Sequence, residues 1–222
     1  MEELEKKLEY VFKNKKLLFT ALTHSSYANE KRGEGAESYE RLEFLGDSIL
    51  GFVTAKHLYD AVPALPEGKM TRLRAELVCE QSLYGVASEL KLGKYLLIGH
   101  GEEKNGGRER TSILADTVES IIAAIYLDGG MAPAESFIKR MILSPESIAA
   151  HHAVDYKTEI QELVQQKSGQ MLHYAETGEY GPDHDKTFTV AVLVNGAEAG
   201  TGTGRSKKEA EQAAARRALE TQ

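Results

Sequence analysis

From Glu2 to about Ile142, apolar residues recur at intervals of three and four, strand-like alternation is scarce, and the breaks fall at Gly, Pro and Asn. The pattern predicts helices over Glu2 to Val11, Lys15 to Leu22, Ser38 to Tyr59, Gly68 to Leu77, Glu80 to Leu90, Arg110 to Leu127 and Pro133 to Ile142. PESIAAHHAV, Pro145 to Val154, has no strong period and reads as a linker with His151 and His152 facing solvent. After it the pattern changes. DYKTEIQELVQQKSG reads as a helix, LHYAET and KTFTVAVLV alternate as strands, the glycines of GAEAGTGTG end a strand in a turn, and RSKKEAEQAAARRALE is a second helix. The expected fold is mainly α: an all-helical unit over 1–146, a linker over 147–154, and a small α+β unit of order α-β-β-β-α over 155–222.

Within the longest helix, ERLEFLGDS (Glu40 to Ser48) puts Glu40, Glu43 and Asp47 within roughly 60° of one another, opposite a stripe of Leu42, Leu45, Ile49, Phe52 and Val53. In SILADTVESIIAAIYLDGG, Asp116 and Glu119 share a face opposite Leu114, Val118, Ile121 and Ile125. None of these five acids has a Lys or Arg three or four residues away, so helical ion pairing does not account for them. One acidic face on one helix is ordinarily just a solvated face; a second alters the reading, because packing the two helices together would gather the carboxylates. Two carboxylates about 5 Å apart repel by roughly 3 kcal/mol at an effective dielectric of 20, so such a cluster calls for a cation. All-oxygen ligation suits a hard ion such as Mg²⁺, which is held by few carboxylates plus substrate phosphates and so points to phosphoryl chemistry.

Composition narrows the setting. At 222 residues and 41% hydrophobic content the chain is long enough for two domains. The N-terminal stretch is charged throughout, lacks an apolar signal core, and no run approaches a membrane span, so export and insertion are not expected. Cys79 is the single cysteine and reads as a small core residue, which fits a reduced cytoplasm. A net charge of −7 means that any nucleic-acid contact must come from local patches and from metal at the acidic site.

ERLEFLGDS, ILADTVES and the upstream LTHSSY (Leu22 to Tyr27) together resemble the catalytic domain of bacterial ribonuclease III, and the match extends over nearly the whole chain. The resemblance implies a homodimeric endoribonuclease that cuts double-stranded RNA with Mg²⁺, or Mn²⁺ in its place, leaving 5′-phosphate and 3′-hydroxyl ends with short 3′ overhangs. It also implies a role in processing ribosomal, messenger, transfer and other structured RNA precursors, with no small-molecule cofactor. By position it makes Glu43, Asp47, Asp116 and Glu119 metal ligands, and Glu40, Asp47, Glu67 and Glu119 catalytic. Without the resemblance, Glu67 would be only a favourable charge at a helix start. Phe44 lies about 40° from Glu40 on the wheel, off the core stripe, which suits an interface anchor; in the family the residue at this point plugs the dimer partner. His24 lacks a partner spacing for base catalysis and reads as structural. GHGEEKNGGRERTS (Gly99 to Ser112) reads as a flexible loop whose Arg108 and Arg110 could meet phosphate.

The α-β-β-β-α order resembles the double-stranded RNA-binding domain. Its first helix buries Tyr156, Ile160, Leu163 and Val164, leaving Thr158, Gln161, Glu162 and Gln165 outside; most of these can donate to and accept from 2′-hydroxyls in the shallow minor groove of A-form RNA. His184, in the loop GPDHDK, would reach a second minor groove. Arg205, Ser206, Lys207 and Lys208 open the last helix, Ser206 and Glu209 in capping-box spacing. Cations at a helix N-terminus oppose its dipole unless an anion intervenes, and phosphate would supply it. The rival reading is a non-cleaving RNA-binding protein of the same fold, but such a relative should have lost an acid. A further rival, an acidic helical adaptor for protein, predicts neither metal dependence nor RNA retention.

Overall fold

A computed structural model describes residues 1–31, 33, 35–61, 63–144, 156–165, 169–182 and 186–220, without the side chains of 158, 159 and 162. The chain divides into two compact units, 1–151 and 152–222, each taken by itself below. The predicted linker with its His151 and His152, and the RNA-contact candidate His184, lie outside the described residues, as do the side chains of Thr158 and Glu162.

Helices make up the first unit: α1 (Glu2–Leu8), α2 (Lys15–Ala21), α3 (Ser25–Glu30), α4 (Glu40–Tyr59), α5 (Glu67–Leu77), α6 (Glu80–Leu90), α7 (His100–Lys104), α8 (Thr111–Gly129) and α9 (Met131–Met141). The centre is α8. Its Ile113, Leu114, Val118, Ile121, Ile122 and Ile125 are buried, and so are Ala115, Ala123 and Ala124 between them, so it is apolar almost all round and is wrapped by α2, α4, α6 and α9. Asn14 caps α2 by accepting from Lys16 N, and Gly130, at φ 86°, turns the chain from α8 into α9. At the far end of α8, Asp128 accepts from Tyr10 Oη and from the backbone N–H groups of Lys13 and Asn14, each at 2.8 Å, which holds the α1–α2 turn against it.

The closest crossing is between α4 and α8, at Gly46. A Cβ there would lie 1.8 Å from the Glu119 carbonyl oxygen and 2.5 Å from its carbon, so only glycine lets the two helices approach this far. Three expectations are corrected here. Phe52, placed on the core stripe, is 59% exposed, because α5 leaves an open groove beside it, lined by Phe52 and Tyr59 of α4 and Met70 and Arg74 of α5. Cys79, expected in the core, is exposed, because it stands in the break between α5 and α6 rather than on a helix face. The stretch from Gly99 to Ser112 is not a free loop. It contains α7 and a 3₁₀ turn (Gly107–Glu109), and Arg108 holds it by donating to the carbonyls of Gly93 (3.0 Å) and Leu96 (2.8 Å) and to Glu103 (2.7 Å).

The second unit consists of α10 (Tyr156–Gln165), an antiparallel sheet of β1 (Leu172–Tyr180), β2 (Thr187–Val194) and β3 (Ala197–Gly204) in that spatial order, and α11 (Lys207–Glu220). Asn195 (φ 53°) and Gly196 (φ 81°) form the two-residue β2–β3 turn, which needs positive φ at both positions. Ile160 and Val164 of α10, Val192 of β2, and Ala214, Ala215 and Ala218 of α11 form the core. The glycines of GTGTG run within β3 rather than only ending it, and at Gly202 a Cβ would sit 2.1 Å from Ala214 N. Small residues on both sides thus bring α11 directly onto the sheet.

Candidate active site

The crossing at Gly46 gathers the predicted acids. Glu43 lies one turn before Gly46 on α4, and Asp116 and Glu119 lie on the α8 turn facing it. One carboxylate oxygen from each of Glu43, Asp116 and Glu119 lies within 4.8 Å of the other two. Asp47, the residue after Gly46 and exposed, stands outside that triad but close enough to act on Glu119, and Glu40, also exposed and bonded to Ser38 Oγ (3.0 Å), acts on Glu43.

Charge and burial oppose each other at this place. Burial is the largest influence on Glu119, followed by Asp47, Asp116 and Glu43, and together they push its carboxyl up to about 8. Burial also raises Glu43, with Asp116, Glu40 and Asp47 adding to it. Asp116 is raised chiefly by burial; the Tyr39 phenol and His24 oppose this, and Glu80, at the start of α6, adds to it. Among the described residues, the charges that raise Glu43 and Glu119 are all carboxylates, and a bound cation is what would relieve them. Oxygen-only donors, partly buried and in excess of one negative charge, fit a hard divalent ion.

Two groups that sequence reading passed over border the cluster. Tyr39, buried at the start of α4, donates from Oη to Asp116 Oδ2 (3.4 Å). The predicted helix from Ser38 includes it, but the observed one begins at Glu40, and no wheel marks Tyr39 because its partner is 77 residues away. Glu80 is the other. His24 has the structural role expected of it: Nδ1 accepts from Ser26 N (3.2 Å) at the start of α3 and lies 2.8 Å from Ser26 Oγ.

Glu67 is not brought to the cluster within the chain. Its carboxylate accepts from Thr71 Oγ1 (2.8 Å) and lines an open groove of about 350 Å³ with Phe52, Tyr59, Met70 and Arg74. The reason is length: α5 packs along the second half of α4, and nine or more residues at 1.5 Å rise separate that half from Glu43 by at least about 13 Å. Phe44, 79% exposed, has no place in the core, in keeping with its position on the wheel. Arg110 pairs with Glu102 at 2.6 Å, so neither loop arginine presents a free guanidinium.

On the second unit, Gln161, Gln165, Arg205, Ser206, Lys207 and Lys208 are all exposed. Ser206 Oγ accepts from Glu209 N (3.2 Å), so Ser206 caps the helix, while Glu209 reaches back one residue further and accepts from Arg205 N (2.8 Å). Lys207 Nζ lies 2.7 Å from Glu176 on β1, and over the Phe188 ring at 5.7 Å.

Residues 14–146 match the family model described as Ribonuclease-III-like, and residues 156–222 match the double-stranded RNA binding motif. The chain belongs to the ribonuclease III family. It is 48% identical over 218 residues to Ribonuclease 3 of Pelotomaculum thermopropionicum, covering 97% of this chain and 90% of that one. To Ribonuclease 3 of Listeria monocytogenes it is 46% identical over 219 residues, with 98% and 96% covered. The solved nuclease domain of ribonuclease III from Campylobacter jejuni superposes with a TM-score of 0.59 at 42% identity, covering 64% of this chain and 94% of that domain. As a member of this family the chain is an enzyme, an endoribonuclease carrying a double-stranded RNA-binding domain. No helix among the described residues is long and apolar enough to cross a membrane.

Proposed function

We propose that this ribonuclease III is a homodimeric, Mg²⁺-dependent enzyme that hydrolyses double-stranded RNA to 5′-phosphate and 3′-hydroxyl ends with short 3′ overhangs, and that it acts on ribosomal and other structured precursors in the cytoplasm. The observation that carries the chemistry is the triad of Glu43, Asp116 and Glu119, together with the neighbouring carboxylates that raise Glu43 and Glu119. These three and Asp47 would hold the metal, Mg²⁺ or Mn²⁺, which supplies an activated water and offsets charge on the phosphate. Glu40, exposed at the rim, is the acid left to orient water and outer ligands, a task that Asp47, exposed beside it, would share while holding the metal. Long duplex RNA incubated with and without Mg²⁺ tests the reading directly: cleavage independent of divalent metal would end it.

Dimerisation explains both Phe44 and Glu67. Phe44 is exposed beside the acids, and the groove lined by Phe52, Tyr59 and Met70 offers an apolar seat. In a two-fold dimer the same contact is made twice, so a Phe44 seated in that groove carries the groove's Glu67 to the partner's acids. Phe44→Ala is expected to raise the dimer dissociation constant by about 30-fold or more, corresponding to roughly 2 kcal/mol for a buried aromatic anchor, with a nearly unchanged fold. Sedimentation on dilution checks this; a variant fully dimeric at dilution with a sharply lower thermal midpoint would return Phe44 to the core.

For the duplex grip, Gln161, Gln165, Thr158 and Glu162 on α10, His184, and Arg205 to Lys208 form the proposed interface. Replacing Lys207 and Lys208 by Ala should weaken binding for all sequences and lower the salt slope by about two. Releasing Lys207 through Glu176→Gln should do the opposite, tightening binding and steepening the slope. Gel-shift titrations at several salt concentrations read both; unchanged slopes would remove these lysines from the interface.

A further inference from the structure

Resting on the metal-dependent reading above, we propose that Tyr39 is a positioning residue of the acidic centre, its phenol orienting the Asp116 carboxylate for the metal while its backbone fixes the α4 turn that carries Glu40 and Glu43. The ring is 3% exposed and packs against the His24 ring, with centroids 5.8 Å apart at 60°, so the hydroxyl cannot turn out to solvent. It points instead at Asp116 Oδ2, 3.4 Å away. A neutral donor thereby holds the carboxylate from one side, the arrangement by which outer partners orient a coordinating carboxylate.

The backbone of the same residue is equally committed. Tyr39 N donates to Thr23 O (2.9 Å), next to the bridge that joins Thr23 to Leu97, while its carbonyl accepts from Leu42 N (2.7 Å) and Glu43 N (2.9 Å). Tyr39 is therefore the joint through which the first turn of α4 is registered against Asp116 on α8. Gly46 sets how closely the two helices approach, and within that approach Tyr39 sets how the Asp116 carboxylate is turned relative to the first turn of α4. At 3.4 Å the contact is longer than the roughly 2.5–3.0 Å usual for O–H···O, so it is a weak bond whose loss costs little stability. Its consequence is orientation. Phenylalanine fills the same space, so Tyr39→Phe isolates the hydroxyl.

The experiment measures Mn²⁺ affinity on wild type, Tyr39→Phe and Glu119→Gln, by the electron paramagnetic resonance signal of free Mn²⁺ well below the melting range, beside Mg²⁺ titrations of single-turnover cleavage. Tyr39→Phe should weaken Mn²⁺ binding about tenfold and raise the Mg²⁺ midpoint by a similar factor, with cleavage largely restored at saturating Mg²⁺ and duplex binding in Ca²⁺ unchanged. An unchanged Mn²⁺ affinity overturns the proposal, whatever happens to the rate. If wild type itself binds no Mn²⁺ and cleaves without divalent metal, the metal reading fails. If wild type binds, Glu119→Gln does not and Tyr39→Phe matches wild type, only the role of Tyr39 falls.

Discussion

Glu119→Gln is expected to lower single-turnover cleavage of duplex RNA by about 10³-fold, roughly 4 kcal/mol of transition-state stabilisation, while duplex binding in Ca²⁺ survives. The amide keeps the size of the side chain and removes the charge that the centre is least able to tolerate without metal. Raised Mg²⁺ or Mn²⁺ should recover part of the rate. The same variant has an opposite effect on stability. Glutamate at 119 holds a proton up to about pH 8 in the folded chain, whereas its ordinary value is 4.5. Folding therefore binds a proton between these pH values, and the stability of the metal-free protein falls as pH rises through them. Metal-free Glu119→Gln should have a higher thermal midpoint than wild type at pH 8, the gap closing toward pH 4.5. Metal binding to wild type should tighten across the same interval, because the ligand must release that proton. Calorimetry at several pH values with chelator present checks the first, and a gap independent of pH would show that Glu119 is not held protonated.

Gly46→Ala should be the most disruptive single methyl in the catalytic unit. The added carbon would meet the Glu119 carbonyl oxygen at 1.8 Å, and that atom belongs to a buried helix rather than to a side chain that can swing aside. Separating α4 from α8 costs about 3 kcal/mol or more, which for a chain of this size lowers the thermal midpoint by about 6–12 °C. Cleavage should fall further than stability alone explains, since Glu43 and Glu119 part company when the helices do. Gly85→Ala serves as the control: Gly85 is exposed within α6 and a Cβ there meets nothing within 4 Å, so this change should hold or slightly raise the midpoint. Equal midpoints for the two variants would show that the α4–α8 contact is not closely packed.

Periodicity by itself determined seven of the nine α-helices described in the first unit to within a few residues, the α-β-β-β-α order of the second, and the acidic faces of α4 and α8. Each of these is a local property: a turn of helix repeats every 3.6 residues wherever it lies, and Glu40, Glu43 and Asp47 share a face whatever they meet. The off-core position of Phe44 was legible for the same reason. Tertiary structure decided what each face meets. A wheel for α4 places Phe52 on the apolar stripe, but whether that side is covered depends on how closely α5 lies against it, and the groove between them leaves the side chain exposed. Glu67 belongs to the groove along the far half of α4 because helix length, not helix phase, separates it from Glu43. Short elements such as α3 and α7 were missed because five or six residues carry too little period, and their ends are held by distant partners such as Glu30 Oε1, which accepts from His100 N at 2.8 Å. The distance between the two acidic helices was set by a glycine whose significance appears only when Glu119 lies across from it, and the link from Tyr39 to Asp116 spans 77 residues of chain. Sequence names the carboxylates, but only packing decides which oxygens come within reach of one ion.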